Sequence, residues 1–140
     1  MRLAIVIALA ACGHDQLATC DDDLGGVWRV PDGTTWFVLD HGMTLEAYPM
    51  MPDAQGPHDL VTAPRVVELA RDHAGKIAGQ TRRRFMRRAD SCEAHVATHV
   101  ATCQADTLEV VTSDLVAPLG FAPCTWPAAE PARVERWRRP

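Results

Sequence analysis

The residues best equipped for chemistry in this 140-residue chain are a histidine pair, an arginine run and five cysteines. His95 and His99 have metal-ligand spacing only on a helix. There, Cys92, His95, His99 and Cys103 would form a stripe about 16 Å long, too long for one ion to take all four. On a strand, His95 and His99 share a face but stand about 13 Å apart, and cannot share a metal alone. No metal site is expected in either case. Asp21-Asp22-Asp23 offers calcium-type ligands, yet three adjacent carboxylates rarely converge without a shaped loop. Arg82-Arg83-Arg84-Phe85-Met86-Arg87-Arg88 is the densest run of charge. As a strand, it puts Arg83 and Arg87 on one face with Phe85, and Arg82, Arg84 and Arg88 on the other with Met86. If one set points into a protein interior, it needs a carboxylate partner or an anionic ligand, because an unpaired buried charge is costly. The alternative is a solvated edge. Arg83 and Arg87 are therefore the candidate anion contacts. Serine occurs only at Ser91 and Ser113, neither in a nucleophile elbow, and no His-Glu-x-x-His or phosphate-binding glycine loop is present. The expectation is a protein that is not an enzyme and has no cofactor.

The elements that must position these groups read as strands. Val27–Val30 ends at Pro31-Asp32-Gly33, a turn signal. Thr34–Asp40 is rich in β-branched and aromatic residues, and Met43–Tyr48 alternates. Arg65–Arg71 precedes the turn Asp72–Gly75, and Lys76 begins the return. Val96–Thr102 has a β-branched residue at every second position. Alanines 94, 97, 101 and 105 leave a helix as the competitor for that segment. Gln104–Asp106 turns the chain into Thr107–Thr112, and Arg133–Arg138 is a last strand. Pro49–Pro64 and Pro118–Pro131 read as loops. One domain fits the length. A net charge of −4 gives no general pull towards nucleic acid. Hydrophobic residues at 47% and charged residues at 23% exclude a wholly disordered chain.

The N-terminus carries an address. Arg2 precedes an unbroken apolar run from Leu3 to Ala11, the layout of a secretory signal. The run ends in Leu9-Ala10-Ala11-Cys12, which resembles the lipobox of bacterial lipoproteins. That resemblance implies cleavage before Cys12 and acylation of its thiol and new amine. It divides the chain into a signal peptide (1–11), a lipidated N-terminus with a polar tether (12–24) and a single all-β domain (25–140). The implied location is the cell envelope, with the membrane as partner through the lipid on Cys12. Gly13 rather than Asp at the next position leans towards the outer membrane, by resemblance to enteric lipoproteins. The alternative is a buried N-terminal strand with Cys12 a plain core thiol. With Cys12 assigned to lipid, Cys20, Cys92, Cys103 and Cys124 remain. An even set in an exported chain reads as two disulfides.

About eight short strands joined mostly by short turns close most simply as an up-and-down antiparallel barrel, which exposes no sheet edge. Another β-barrel or a sandwich is the alternative. Gly25-Gly26-Val27-Trp28 at the start and Trp137-Arg138 at the end resemble the lipocalin-like pattern, in which a first-strand Trp packs across the barrel floor under a last-strand Arg. The resemblance implies an eight-stranded cup that holds a small apolar ligand; with the arginine run, the expectation is a small amphiphilic or anionic ligand, with Trp28 and Trp137 joining Arg83 and Arg87 as ligand contacts. The other function class is an envelope structural or protein-interaction lipoprotein with no small-molecule ligand. Following chain direction around such a barrel puts Cys20 and Cys103 at one rim and Cys92 and Cys124 at the other. The expected pairs are Cys20–Cys103 and Cys92–Cys124.

Overall fold

Eight strands form in chain order: β1 (Gly26–Arg29), β2 (Thr35–Asp40), β3 (Thr44–Pro49), β4 (Arg65–Arg71), β5 (Ile77–Arg87), β6 (Asp90–Gln104), β7 (Thr107–Thr112) and β8 (Arg133–Arg138). The structure, a computed structural model, describes residues 16–50, 65–87, 90–114 and 131–140. Every strand pairs antiparallel with its sequence neighbour, and β8 returns to β1, so the sheet is a closed up-and-down barrel. No helix occurs among the described residues, and residues 92–103 are strand. β-branched Val96, Thr98 and Val100 favour the pleat, and pairing with β5 and β7 outweighs the helical preference of the alanines. β6 starts at Asp90, ahead of the alternating stretch, and carries a bulge between Val100 and Thr102.

The turns follow from local chemistry. The Asp72 carboxylate accepts the amides of Ala74 and Lys76, both at 2.8 Å. Gly75 then adopts φ 74°, and a Cβ there would collide with the Asp21 side chain. Gly79 serves a different need. A Cβ on it would run into the backbone of Glu68 and Leu69, so only glycine allows β4 and β5 to approach so closely.

The interior is layered. At one end, here the floor, the chain before β1 folds under the barrel. The Ala18 amide donates to the Val100 carbonyl (3.0 Å), Cys20 to Gly75 (2.8 Å), and Cys20 and Leu24 are fully buried. The expected tether thus gives way to packed structure well before Gly25. The reason is long-range: the backbone carbonyls of Asp22 and Asp23 accept from Arg71 and Arg139, which brings this polar stretch onto the barrel. Cys20 is bonded to Cys103 with Cα atoms 5.6 Å apart, as the strand directions predict. Of the second expected pair, Cys124 lies outside the described residues and Cys92 is placed only as a backbone position opposite Phe85.

Trp28, completely buried, forms the floor itself. Its indole N–H donates to the Leu24 carbonyl at 2.8 Å, and the Arg139 guanidinium lies 4.5 Å from its ring centroid. Arg139 also donates to the carbonyls of Gly25 (2.9 Å) and Asp23 (2.8 Å). This is the Trp–Arg contact that the lipocalin-like resemblance implies, with Arg139 in the role expected of Arg138. The pleat requires the change: Trp137 points inward, so Arg138 points out and Arg139 returns to the interior side. Beside it, Asp40 accepts the Leu24 amide (2.9 Å) and binds Arg71 (2.8 and 3.3 Å).

Two measurements probe the floor. Replacing Cys20 and Cys103 with Ser should cost about 2–4 kcal/mol in urea unfolding, because the bridge closes a long loop across a separation of 83 residues. An unchanged midpoint would show that the plug is held without it. Burial pushes the Asp40 carboxyl up, but the Leu24 amide, Arg71 and the Gly42 amide together hold it below its ordinary value. Asp40 therefore stabilises the fold above the ordinary aspartate pKa of about 3.9. That contribution is lost as pH falls through this value towards the lowered one. An Asp40→Asn chain should be less stable at neutral pH and should lose less stability over that acid range. Parallel acid curves for the two chains would contradict the assignment.

Candidate functional site

Above the floor, inward positions of successive strands fill the lower barrel: Val38, Leu45, Ala47, Val67, Ile77, Val100, Leu108 and Val110. The void left among them is about 20 Å³, room for about one water. Trp36 and Trp137 close this layer, stacked at 5.1 Å with planes 10° apart. Thr81 and Thr98 share a 2.7 Å hydrogen bond inside the barrel, and the Thr98 hydroxyl also reaches the Val96 carbonyl (3.1 Å), so both buried hydroxyls are satisfied.

The opposite end, the mouth, is polar, and β4, β5 and β8 supply it. Inward alternation carries Arg65 on β4, Arg83 on β5, and Arg133 and Glu135 on β8 to this level. Glu135 is the hub. Arg65 grips it with both terminal nitrogens (3.0 and 3.2 Å), the Trp137 indole N–H donates to it (3.3 Å), and Arg133 lies 3.9 Å away. The Arg65 guanidinium also stacks over Trp36, 5.1 Å from the ring centroid. Arg65, Arg83 and Arg133 line one cavity of about 20 Å³ with Thr112 and Ser113. Arg65 and Arg133 thus lie beside Glu135, and both also act electrostatically on Asp32. Nearby, the Trp36 indole N–H is buried without a hydrogen-bond partner among the described residues.

The sequence-predicted residues separate between the two ends. Arg83 lines the mouth. Arg87 lies further along β5, opposite Asp90, with its side chain outside the described residues. Trp137 supports the mouth from below through Glu135, while Trp28 is enclosed in the floor, away from the mouth. Cys12 lies outside the described residues, as do residues 51–64 and 118–130 of the two expected loops. Arg82 and Arg84 take the outer face, where Glu68 and Glu93 pair with them. His95 meets Glu93 at 3.0 Å. Among the described residues, no three His, Cys, Asp or Glu side chains gather as a metal site.

Sequence reasoning missed Arg65, Arg133 and Glu135. The signal was present: Arg65, Val67, Leu69 and Arg71 share one parity, as do Arg133, Glu135 and Trp137. An inward Trp137 therefore carries its charged neighbours inward with it. The outer face bears Glu46, Glu68, Arg82, Arg84, Glu93 and Arg136, where a membrane-spanning barrel carries an apolar band. Among the described residues, no helix is long and apolar enough to cross a membrane. Compared with protein families, curated proteins and solved structures, the chain matches none.

Glu135→Gln removes the charge that neutralises the mouth while keeping its shape. The variant should lose about 1–3 kcal/mol, since half-buried Arg65 keeps its charge without the carboxylate that pairs with both its terminal nitrogens. Millimolar phosphate should restore more thermal stability to the variant than to the parent chain. Equal melting temperatures in phosphate-free buffer would show that Glu135 does not have this role.

Proposed function

We propose that this protein is an exported lipoprotein, anchored to the cell envelope through Cys12, that holds the anionic head of a small amphiphile or anionic lipid in the mouth of its barrel. The observation that carries the reading is the convergence of Arg65, Arg83 and Arg133 on one cavity whose described lining contains no carboxylate, with Glu135 paired to Arg65 beside it. Guanidinium groups bind phosphate and carboxylate oxygens through paired, charge-assisted hydrogen bonds. The unpartnered Trp36 N–H adds a neutral donor at the same end. The lower barrel is filled and the mouth cavity is equally small, so the head group rests against the arginines at the rim, and recognition rests on charge rather than on an apolar tail.

Lipidation orients the molecule. Cys12 precedes Cys20 by eight residues, a reach of at most about 28 Å when extended. Cys20 enters at the floor, so the floor turns towards the anchoring membrane, in this reading the outer membrane, and the mouth turns away. The reading assigns no catalysis.

Calorimetry of the full chain with dodecyl phosphate and with dodecyl phosphocholine tests the mouth. The phosphate amphiphile should bind. Arg65→Gln with Arg83→Gln should weaken it more than about tenfold, the loss of roughly one charge-assisted hydrogen bond or more. Equal binding of both amphiphiles, or no effect of the double substitution, would contradict the head-group reading. In the producing cell, Cys12→Ala should abolish labelling by a fatty-acid probe and release the protein from membranes; undiminished labelling would remove the anchor. The filled interior also favours a second reading, an envelope protein-interaction lipoprotein with no small ligand, which predicts no heat with either amphiphile.

A further inference from the structure

The barrel closes at an incomplete seam. β8 pairs with β7 along its whole length, from Arg133 to Arg138. On its other side it meets β1 at one position only, Arg29 opposite Arg138. β1 ends there, and the chain turns away at Pro31–Gly33. Among the described residues, Val134–Trp137 therefore have no ladder partner on the β1 side. An open groove of about 750 Å³ runs beside this edge.

The one closing pair sets two arginines directly opposite each other. Both Arg29 and Arg138 are exposed and point outward, because Trp28 and Trp137 next to them point in. Neither guanidinium has a hydrogen bond or ion pair among the described residues, and like charges directly opposed across a ladder repel. The groove's carboxylates do not relieve them. Glu109 is held by Arg136 at 2.7 Å and by Thr102 at 2.9 Å, and Glu135 turns inward to Arg65. Asp32 is engaged by the Thr34 amide at 2.8 Å.

We propose that this seam is a docking site for an extended acidic segment of a partner protein, added to the barrel as a strand along β8. The unpaired backbone of β8 offers ladder hydrogen bonds, the mode by which exposed sheet edges capture peptides. Arg29 and Arg138 clamp a carboxylate of the incoming strand, and Val134, 46% exposed, packs beneath an apolar side chain of it. Charge decides against a second copy of this chain as the occupant. A copy would bring its own Arg136 and Arg138 to the same edge, and like charges would again be opposed. A lipid head group could meet the arginines but would leave the ladder groups unused.

The test uses the full chain and a fluorescent octapeptide that alternates valine with glutamate. Anisotropy should report binding in the micromolar range, and the same peptide with lysine in place of glutamate should not bind. Methylating alternate backbone nitrogens of the acidic peptide should abolish binding. Arg29→Glu with Arg138→Glu should weaken the acidic peptide at least tenfold and admit the lysine peptide. Neither arginine is in the core or the mouth, so circular dichroism and binding of dodecyl phosphate should stay unchanged. No binding at roughly 1 mM peptide, indifference to charge reversal, or indifference to N-methylation would overturn the proposal. So would sedimentation showing that the chain alone dimerises and that the dimer excludes the peptide.

Discussion

The inner face of β8 links every level of the barrel. Successive inward positions carry Glu135 at the mouth, Trp137 against Trp36 in the middle and, just past the strand, Arg139 over Trp28 at the floor. A strand's period of two makes this inseparable from its outer face, where Val134, Arg136 and Arg138 stand. A one-residue slip of β8 against β7 would send Glu135 and Trp137 to solvent and arginines into the apolar layer. The register is therefore fixed by burial of Trp137, by an ion pair at one end of it and by guanidinium–carbonyl hydrogen bonds at the other. Arg65 reaches Glu135 from across the chain, and Arg139 reaches the carbonyls of Asp23 and Gly25.

Charge inside the barrel is handled differently at its two ends. At the floor, Asp40, Arg71 and Arg139 are hydrogen-bonded to surrounding backbone groups, with only the Arg71 Nε left without a partner among the described residues. At the mouth, one carboxylate serves several guanidinium groups. The first arrangement locks a segment in place. The second gathers arginine side chains where the interior meets solvent, and the proposed head-group binding rests on that difference. The wall between them is apolar apart from the self-satisfied Thr81–Thr98 pair.

Much of this architecture was legible in the residue pattern. Alternation in Met43–Tyr48 and Val96–Thr102, with turn signals at Pro31–Gly33 and Asp72–Gly75, gives the strands and their order. Strand direction alone brings Cys20 to Cys103. Three features escaped for physical reasons. The first turns of β6 and the end of β5 lie in a charged stretch with no apolar alternation to mark them, and pairing with each other defines them. The packing of residues 18–24 depends on Arg71 and Arg139 reaching backbone carbonyls, which no side-chain pattern announces. The Arg65–Glu135 pair joins residues 70 apart, and only barrel closure decides that they meet. Arg139 in place of Arg138 was within reach, since parity with Trp137 determines it.

The floor contacts also set an order of events. Arg139 binds Asp23 and Gly25 across separations of 116 and 114 residues, and β1 finds its second neighbour only in β8. Contacts this distant in sequence form late, after the loop they close has lost its freedom. A chain that emerges amino-terminus first can build the β2–β7 meander early, but Trp28 has no lid until the final residues arrive. Closure thus depends on the last strand: a chain without β8 keeps two open sheet edges, and one without Arg139 leaves Trp28 without its guanidinium cover.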